Sequence, residues 1–193
     1  AWIPCDALQY DTRLDVARVF YMQLTLKSVV PVTVRDTYFH GSGRMQARAF
    51  DLIPIVDGKG FELDVGELVT YLNDAILMAP SLILGPETIW TAVTGNAFDV
   101  TFTDRGHSVR ARVFIDERGA PTNFSTTDRF FDAPDGRRVR TEWNTPIEGW
   151  QTANGRRLPT RGQAVWMLPA GPLPYGDFRF DPARIFFNVP KAE

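Results

Sequence analysis

Cysteine and histidine are scarce: Cys5 is the only cysteine, and His40 and His107 are the only histidines, in 193 residues. One thiol cannot form an internal disulfide. A metal site needs histidine, cysteine or carboxylate gathered at ligand spacing, which two distant histidines at turns do not supply, so neither metal nor cofactor is expected. Trp2, Ile3 and Pro4 precede Cys5 in place of the small residues that flank a processed cysteine, and the thiol reads as structural. No apolar run approaches the ~18 residues of a bilayer-crossing helix. A net charge of −2 without a sustained basic block leaves no electrostatic footprint for nucleic acid. G-x-S-x-G, Walker and dinucleotide-binding glycine patterns are missing too; His40-Gly41-Ser42-Gly43 supplies glycine for a hairpin, not a phosphate cradle. Repeats, low-complexity tracts and linkers are lacking, so residues 1–193 are expected to form a single domain. The chain opens on Ala1, which fits a cytoplasmic protein or one exported or anchored through a segment not present here, and no compartment is assigned.

Helical periodicity is also rare, and occurs in one place. In the run Glu62 to Pro80, Val65, Leu68, Val69, Leu72 and Ile76 recur on one face, with Tyr71, Asp74, Ala75 and Met78 flanking them. Asp64 and Glu67 have capping-box spacing, and Pro80 ends the run. With the short turn that follows, 62–84 is read as a helical insertion.

Elsewhere the period is two. Residues 1–17 show no clear pattern and read as an irregular lead-in. From Arg18, Phe20, Met22, Leu24 and Leu26 alternate with Val19, Tyr21, Gln23 and Thr25; a second strand runs through Val32, Val34, Asp36, Tyr38 and His40, and a third from Arg44 towards Phe50. Asp57-Gly58 reads as a turn. Past Gly85-Pro86 the cleanest hairpin joins Phe98–Thr103 to Ser108–Ile115, and later strands are expected at 122–131, 137–143, 163–168, 178–180 and 185–189. The fold class is therefore mainly β (α+β): a strongly curved antiparallel sheet, a half-open barrel of roughly nine to eleven strands, whose concave face is covered by one main helix.

The stretch PVTVRDTYFHGSGRMQARAFDLIPIVDGKGFELDVGELVTYLNDAILMAP resembles the leading signature of an uncharacterised bacterial family of unknown function. Trp90, the DRF at Asp128–Phe130, WNTP at Trp143–Pro146, LPTRGQAVW at Leu158–Trp166 and PYGDF at Pro174–Phe178 match its later marks. The likeness covers nearly the whole chain. It implies a fold similar to that of the periplasmic lipoprotein carriers (LolA-like), an unclosed antiparallel barrel covered by helices that takes up acyl chains, and it implies no activity. One main helix in place of several sets this chain apart from those carriers.

Two sets of side chains are the candidates for chemistry. Alternation places Asp36, Tyr38 and His40 on one face of the second strand, where a carboxylate, a phenol and an imidazole, with Asp74 of the helix, can perform acid-base work. The plainer reading puts His40 in solvent and pairs Asp36 with Arg35, Arg44 or Arg48, while Asp74 ties helix to sheet through Arg129 or Arg44. Aromatic residues are abundant, with five Trp, five Tyr and fourteen Phe. Tyr38, Tyr71, Phe102, Trp143 and Trp166 are the candidates to line an apolar pocket, with core packing as the plainer alternative. The function read from these features is binding or carriage of a small hydrophobic or lipid-like ligand between curved sheet and helix. An acid-base enzyme acting on a small apolar substrate in the same cavity, without a recognisable catalytic motif, and a protein-interaction module stay open beside it. Open sheet edges also allow a homodimer.

Overall fold

The computed structural model describes residues 2–189. The chain first lays down a five-strand antiparallel meander of β1 (Cys5–Thr12), β2 (Ala17–Leu26), β3 (Val30–Phe39), β4 (Ser42–Ala49) and β5 (Ile53–Lys59), paired in that order. Tight two-residue turns join several of these strands. Lys27-Ser28, His40-Gly41 and Phe50-Asp51 each place both central residues at positive φ, the turn geometry whose twist matches that of the flanking strands. The helix α1 (Phe61–Met78) and a short 3-10 turn (Pro80–Ile83) follow.

The second sheet begins with β6 (Thr88–Thr94), β7 (Ala97–Asp104), β8 (His107–Ile115), β9 (Pro121–Asp132) and β10 (Arg138–Asn144), again a meander. The short β11 (Ile147–Glu148) and the long β14 (Arg161–Leu168) complete its far side, with β15 (Gly171–Arg179) paired to β14. A small hairpin of β12 (Gln151–Ala153) and β13 (Arg156–Leu158) stands apart from both sheets, turning at Asn154-Gly155. All pairings are antiparallel and neither sheet closes on itself among the described residues.

Helix α1 lies against both sheets, packing on β3 and β4 of the first and on β8 and β9 of the second. Val65, Leu68, Val69, Leu72 and Ile76 are all buried, as their spacing predicts, and so are Tyr71, Asn73, Ala75 and Leu77. A helix enclosed on two sides buries more than one stripe. Asn73 donates to Thr145 Oγ1 at 2.6 Å, fastening it to the second sheet, and Gly43 fastens it to the first. The Gly43 N–H donates to Asp64 Oδ1 at 2.7 Å, and a Cβ there would stand 2.2 Å from the Leu63 carbonyl oxygen.

Several local expectations are corrected. Residues 5–12 of the supposed irregular lead-in form an edge strand paired with β2. Asp64 and Glu67 form no capping box: the helix starts from Gly60, Asp64 binds β4 and Glu67 binds Arg18. Asp57-Gly58 lies inside β5, paired with Gln46 and Met45. Residues 185–189 are irregular. The curved antiparallel strands form two ladders separated at the helix, β5 and β6 not being paired with each other, in place of one continuous ladder.

Candidate functional site

Along the inner face of the first sheet, β1 contributes Gln9 and Asp11, β2 contributes Arg18 and Phe20, and β3 contributes Asp36. The register sets Asp11 beside Arg18 and Gln9 beside Phe20, with Phe20 beside Asp36. From the helix come Glu67 and Asp74, seven residues apart and so two turns along one face. Together they form a charged layer inside the protein. Arg18, 5% exposed, donates from Nε to Asp74 at 2.8 Å and from Nη1 to Glu67 at 3.1 Å. Gln9 bridges Asp11 (2.7 Å) and Asp74 (2.8 Å) through its amide nitrogen. Burial opposes the charge of Arg18, but Asp74 and Glu67 more than offset it and hold the guanidinium charged.

The carboxylates outnumber the arginines, and the surplus shows. Burial pushes Asp11 up to about 7, with the charge of Asp74 adding to the effect. Burial likewise pushes Glu67 up to about 7 against the pull of Arg18, and raises Asp36. Asp11 Oδ1 and Asp36 Oδ1 are enclosed without a hydrogen-bond partner. Proton uptake relieves that cost, because a neutral carboxyl is far cheaper to bury than an unpaired carboxylate.

A second arginine reaches this layer from the other sheet. A register shift between Thr141 and Trp143, where β10 pairs with β9, brings Arg129 over the ring of Trp143 at 4.4 Å and towards that of Trp166 at 5.8 Å. Its charge pulls against the upward shift that burial gives the pKa of both Asp36 and Glu67. Among the described residues the Arg129 side chain makes no ion pair and no hydrogen bond.

Beyond the charged layer the inner face of the first sheet turns apolar. Val32, Val34 and Ala47 are buried, with Met22, Leu24, Leu26, Val30 and Met45 half-buried around them. Every member of this cluster comes from β2, β3 or β4, and the main core, which holds the helix, is a separate cluster. Val56 and Ile53 carry the same face to the exposed β5 edge. The result is an apolar strip with a buried centre, containing no residue of the helix or of the second sheet, running Val30, Val32, Val34 along β3 and ending at Asp36. From Val30 to Asp36 the strip is about 20 Å long at the usual strand rise.

Asp36, Tyr38 and His40, expected together, are divided. Asp36 and Tyr38 share the inner face, but the fully buried Tyr38 donates its hydroxyl to Asp104 at 2.7 Å, while burial and that carboxylate raise its pKa. His40 stands in the turn with its imidazole 3.3 Å from Asp15, half exposed. Asp74 does tie helix to sheet, through Arg18 in place of Arg129 or Arg44; Arg44 pairs with Asp57 on the outer face. Tyr71 and Phe102 pack against each other at 5.7 Å with no exposed surface, so in this conformation they wall no cavity. Trp143 and Trp166 are buried beside Arg129, and Trp143 donates to the Tyr175 hydroxyl at 3.0 Å. Two surface hollows, of about 710 and 180 Å³, are lined by Glu62 with Gly136–Arg140 and by Pro146–Glu148, Arg161–Gln163 and Asp177; neither involves these aromatics.

Sequence reasoning passed over Gln9, Asp11, Arg18 and Glu67. The available signal was inversion: in β1 the apolar Leu8 and Tyr10 are exposed while Gln9 and Asp11 point inward.

The chain belongs to the DUF6544 family, a family of unknown function, whose profile matches residues 1–178. No curated protein matches it. Among solved structures, a LolA superfamily protein from Nitrosomonas europaea is similar at a TM-score of 0.35 and 11% identity, over 93% of this chain and 85% of that one. No helix among the described residues is long and apolar enough to cross a membrane.

Proposed function

We propose that this DUF6544 member binds a lipid-like amphipathic molecule, its apolar chain lying along the apolar strip of the first sheet and its polar end beside the charged layer. The observation that supports this reading is the apolar cluster of β2, β3 and β4, which includes no residue of the helix or of the second sheet. A sheet face of that composition normally packs against a second layer. Here a ligand takes that place. Covering each 100 Å² of apolar surface contributes about 2.5 kcal/mol before the cost of association. Trp143 and Trp166, at the end where Arg129 sits, form the aromatic part of the proposed site.

A polarity-sensitive naphthalene dye tests the reading. Its fluorescence is expected to rise saturably with one equivalent per chain and to be displaced by dodecanol. In Leu24→Gln, which puts an amide on the half-buried strip, affinity falls about tenfold or more, the equivalent of ~1.4 kcal/mol. Dye binding that is unsaturable, or indifferent to Leu24→Gln, contradicts the reading.

A further inference from the structure

Among the described residues Arg129 is the one cation reaching the charged layer whose side-chain hydrogen-bonding capacity is unused. Arg18, its neighbour in the layer, spends its donors on Glu67, Asp74 and Gln9. Arg129 has a planar fork of five N–H donors and no acceptor within hydrogen-bond or ion-pair distance among the described residues. Its position is nonetheless fixed, by stacking on the indoles of Trp143 and Trp166. A guanidinium held over aromatic rings with its N–H donors unspent can receive an oxyanion in two parallel bonds.

Its surroundings favour an anion. Aromatic rings flank the cation, so a ligand oxyanion there meets little competing water and the attraction is strengthened. The nearest acids in electrostatic reach are Asp36 and Glu67, both shifted towards their neutral forms by burial. Burial disfavours their charged forms, so they offset the positive charge of Arg129 less than exposed carboxylates would. Asp36 is also the residue at which the apolar strip ends, next after Val34 on the same face of β3.

We propose that Arg129 is the head-group receptor of the site and that the ligand is an anionic amphiphile, with a carboxylate or phosphate on the Arg129 fork and an apolar chain along Val34, Val32 and Val30. This assignment rests on the ligand-binding reading above and adds the chemical class of the ligand. No bond is made or broken; the step is association.

Dodecanoate, dodecanol and inorganic phosphate separate the sources of affinity, measured calorimetrically and by tryptophan fluorescence at pH 8. In the wild-type protein dodecanoate is expected to bind roughly ten- to hundredfold more tightly than dodecanol, the range of a charge-assisted pair. Phosphate alone is expected to displace it weakly or not at all. Arg129→Gln removes the preference for dodecanoate and leaves dodecanol affinity within about twofold, which also reports that the site is still folded. Arg129→Lys keeps the charge but not the fork and retains part of the preference. Equal binding of dodecanoate and dodecanol by the wild type overturns the head-group assignment alone. An equal loss of both ligands in Arg129→Gln and Arg129→Lys overturns it too, making Arg129 a packing element. Tight binding of phosphate without a chain overturns the amphiphile. Failure of every chain-bearing ligand to bind overturns the carrier reading and this assignment together.

Discussion

Arg18 holds the charged layer together, and its removal exposes what the layer costs. Arg18→Met leaves Glu67 and Asp74 facing each other without a counter-ion, and unfolding in urea at pH 8 is expected to show a loss of about 3 kcal/mol. At pH 5 the loss is smaller, because the abandoned carboxylates take up protons. The same groups set the pH dependence of the intact protein. Asp11 and Glu67 titrate ordinarily near 3.8 and 4.5 and are raised to about 7 in the fold. The folded state thus binds their protons more tightly than the unfolded state, so their contribution is full below about 4 and is lost as pH rises through about 7. Asp99 behaves oppositely: Arg112 and Arg110 hold it down at about 2, and its contribution is lost only as pH falls from about 4 towards 2. Urea midpoints measured from pH 4 to 8 are expected to decline for wild type and to flatten in Asp11→Asn/Glu67→Gln; an unchanged slope in the double variant contradicts the assignment. At this scale little was legible beforehand. Asp36 and Asp74 were picked out as candidates, but Arg18 looked like the charged first residue of an ordinary strand, and its partners lie 49 and 56 residues away.

Elements came through better, where period and burial agree. Phe61–Met78 is a helix because its apolar residues recur at helical spacing, and β2, β3, β7 and β8 are strands because theirs alternate. Strand β1 escaped because its alternation is reversed, polar inward and apolar outward, which hides a strand from any rule that assumes the opposite. Two substitutions probe the joints. Gly43→Ala drives a Cβ into the Leu63 carbonyl where the helix start docks on β4, and is expected to cost about 2–3 kcal/mol in urea unfolding, the upper range for overpacking, since backbone cannot swing aside. Phe50, by contrast, holds a left-handed backbone at φ 52 in the turn between β4 and β5, with its ring half exposed. Asn tolerates that conformation better, so Phe50→Asn is expected to stabilise by about 0.5–1 kcal/mol and raise the melting temperature by about 1–4 °C in calorimetry. A fall in melting temperature means the exposed ring contributes more than its backbone costs.

At the level of the whole molecule, the antiparallel, unclosed architecture with one main helix was legible in the alternation and in the single helical run. What the sequence did not reveal is where the helix stops covering. Pairing breaks between β5 and β6, the helix is enclosed by both sheets, and the apolar side chains of β2, β3 and β4 form a cluster of their own, separate from the core that holds the helix. Such coverage depends on the angle between layers, which is set by packing and not by any local pattern. The aromatics expected to line a pocket went partly into the core for the same reason: two sheets closing on one helix leave Tyr71 and Phe102 no free surface. The chain's four methionines offer a direct test, since Met22 and Met45 border the strip while Met78 ends the helix and Met167 is exposed on β14. With the methionine methyl groups ¹³C-labelled, a titration with dodecanoate is expected to shift the Met22 and Met45 signals saturably and leave those of Met78 and Met167 in place. Unmoved Met22 and Met45 signals, or equal shifts of all four, would contradict binding on the strip.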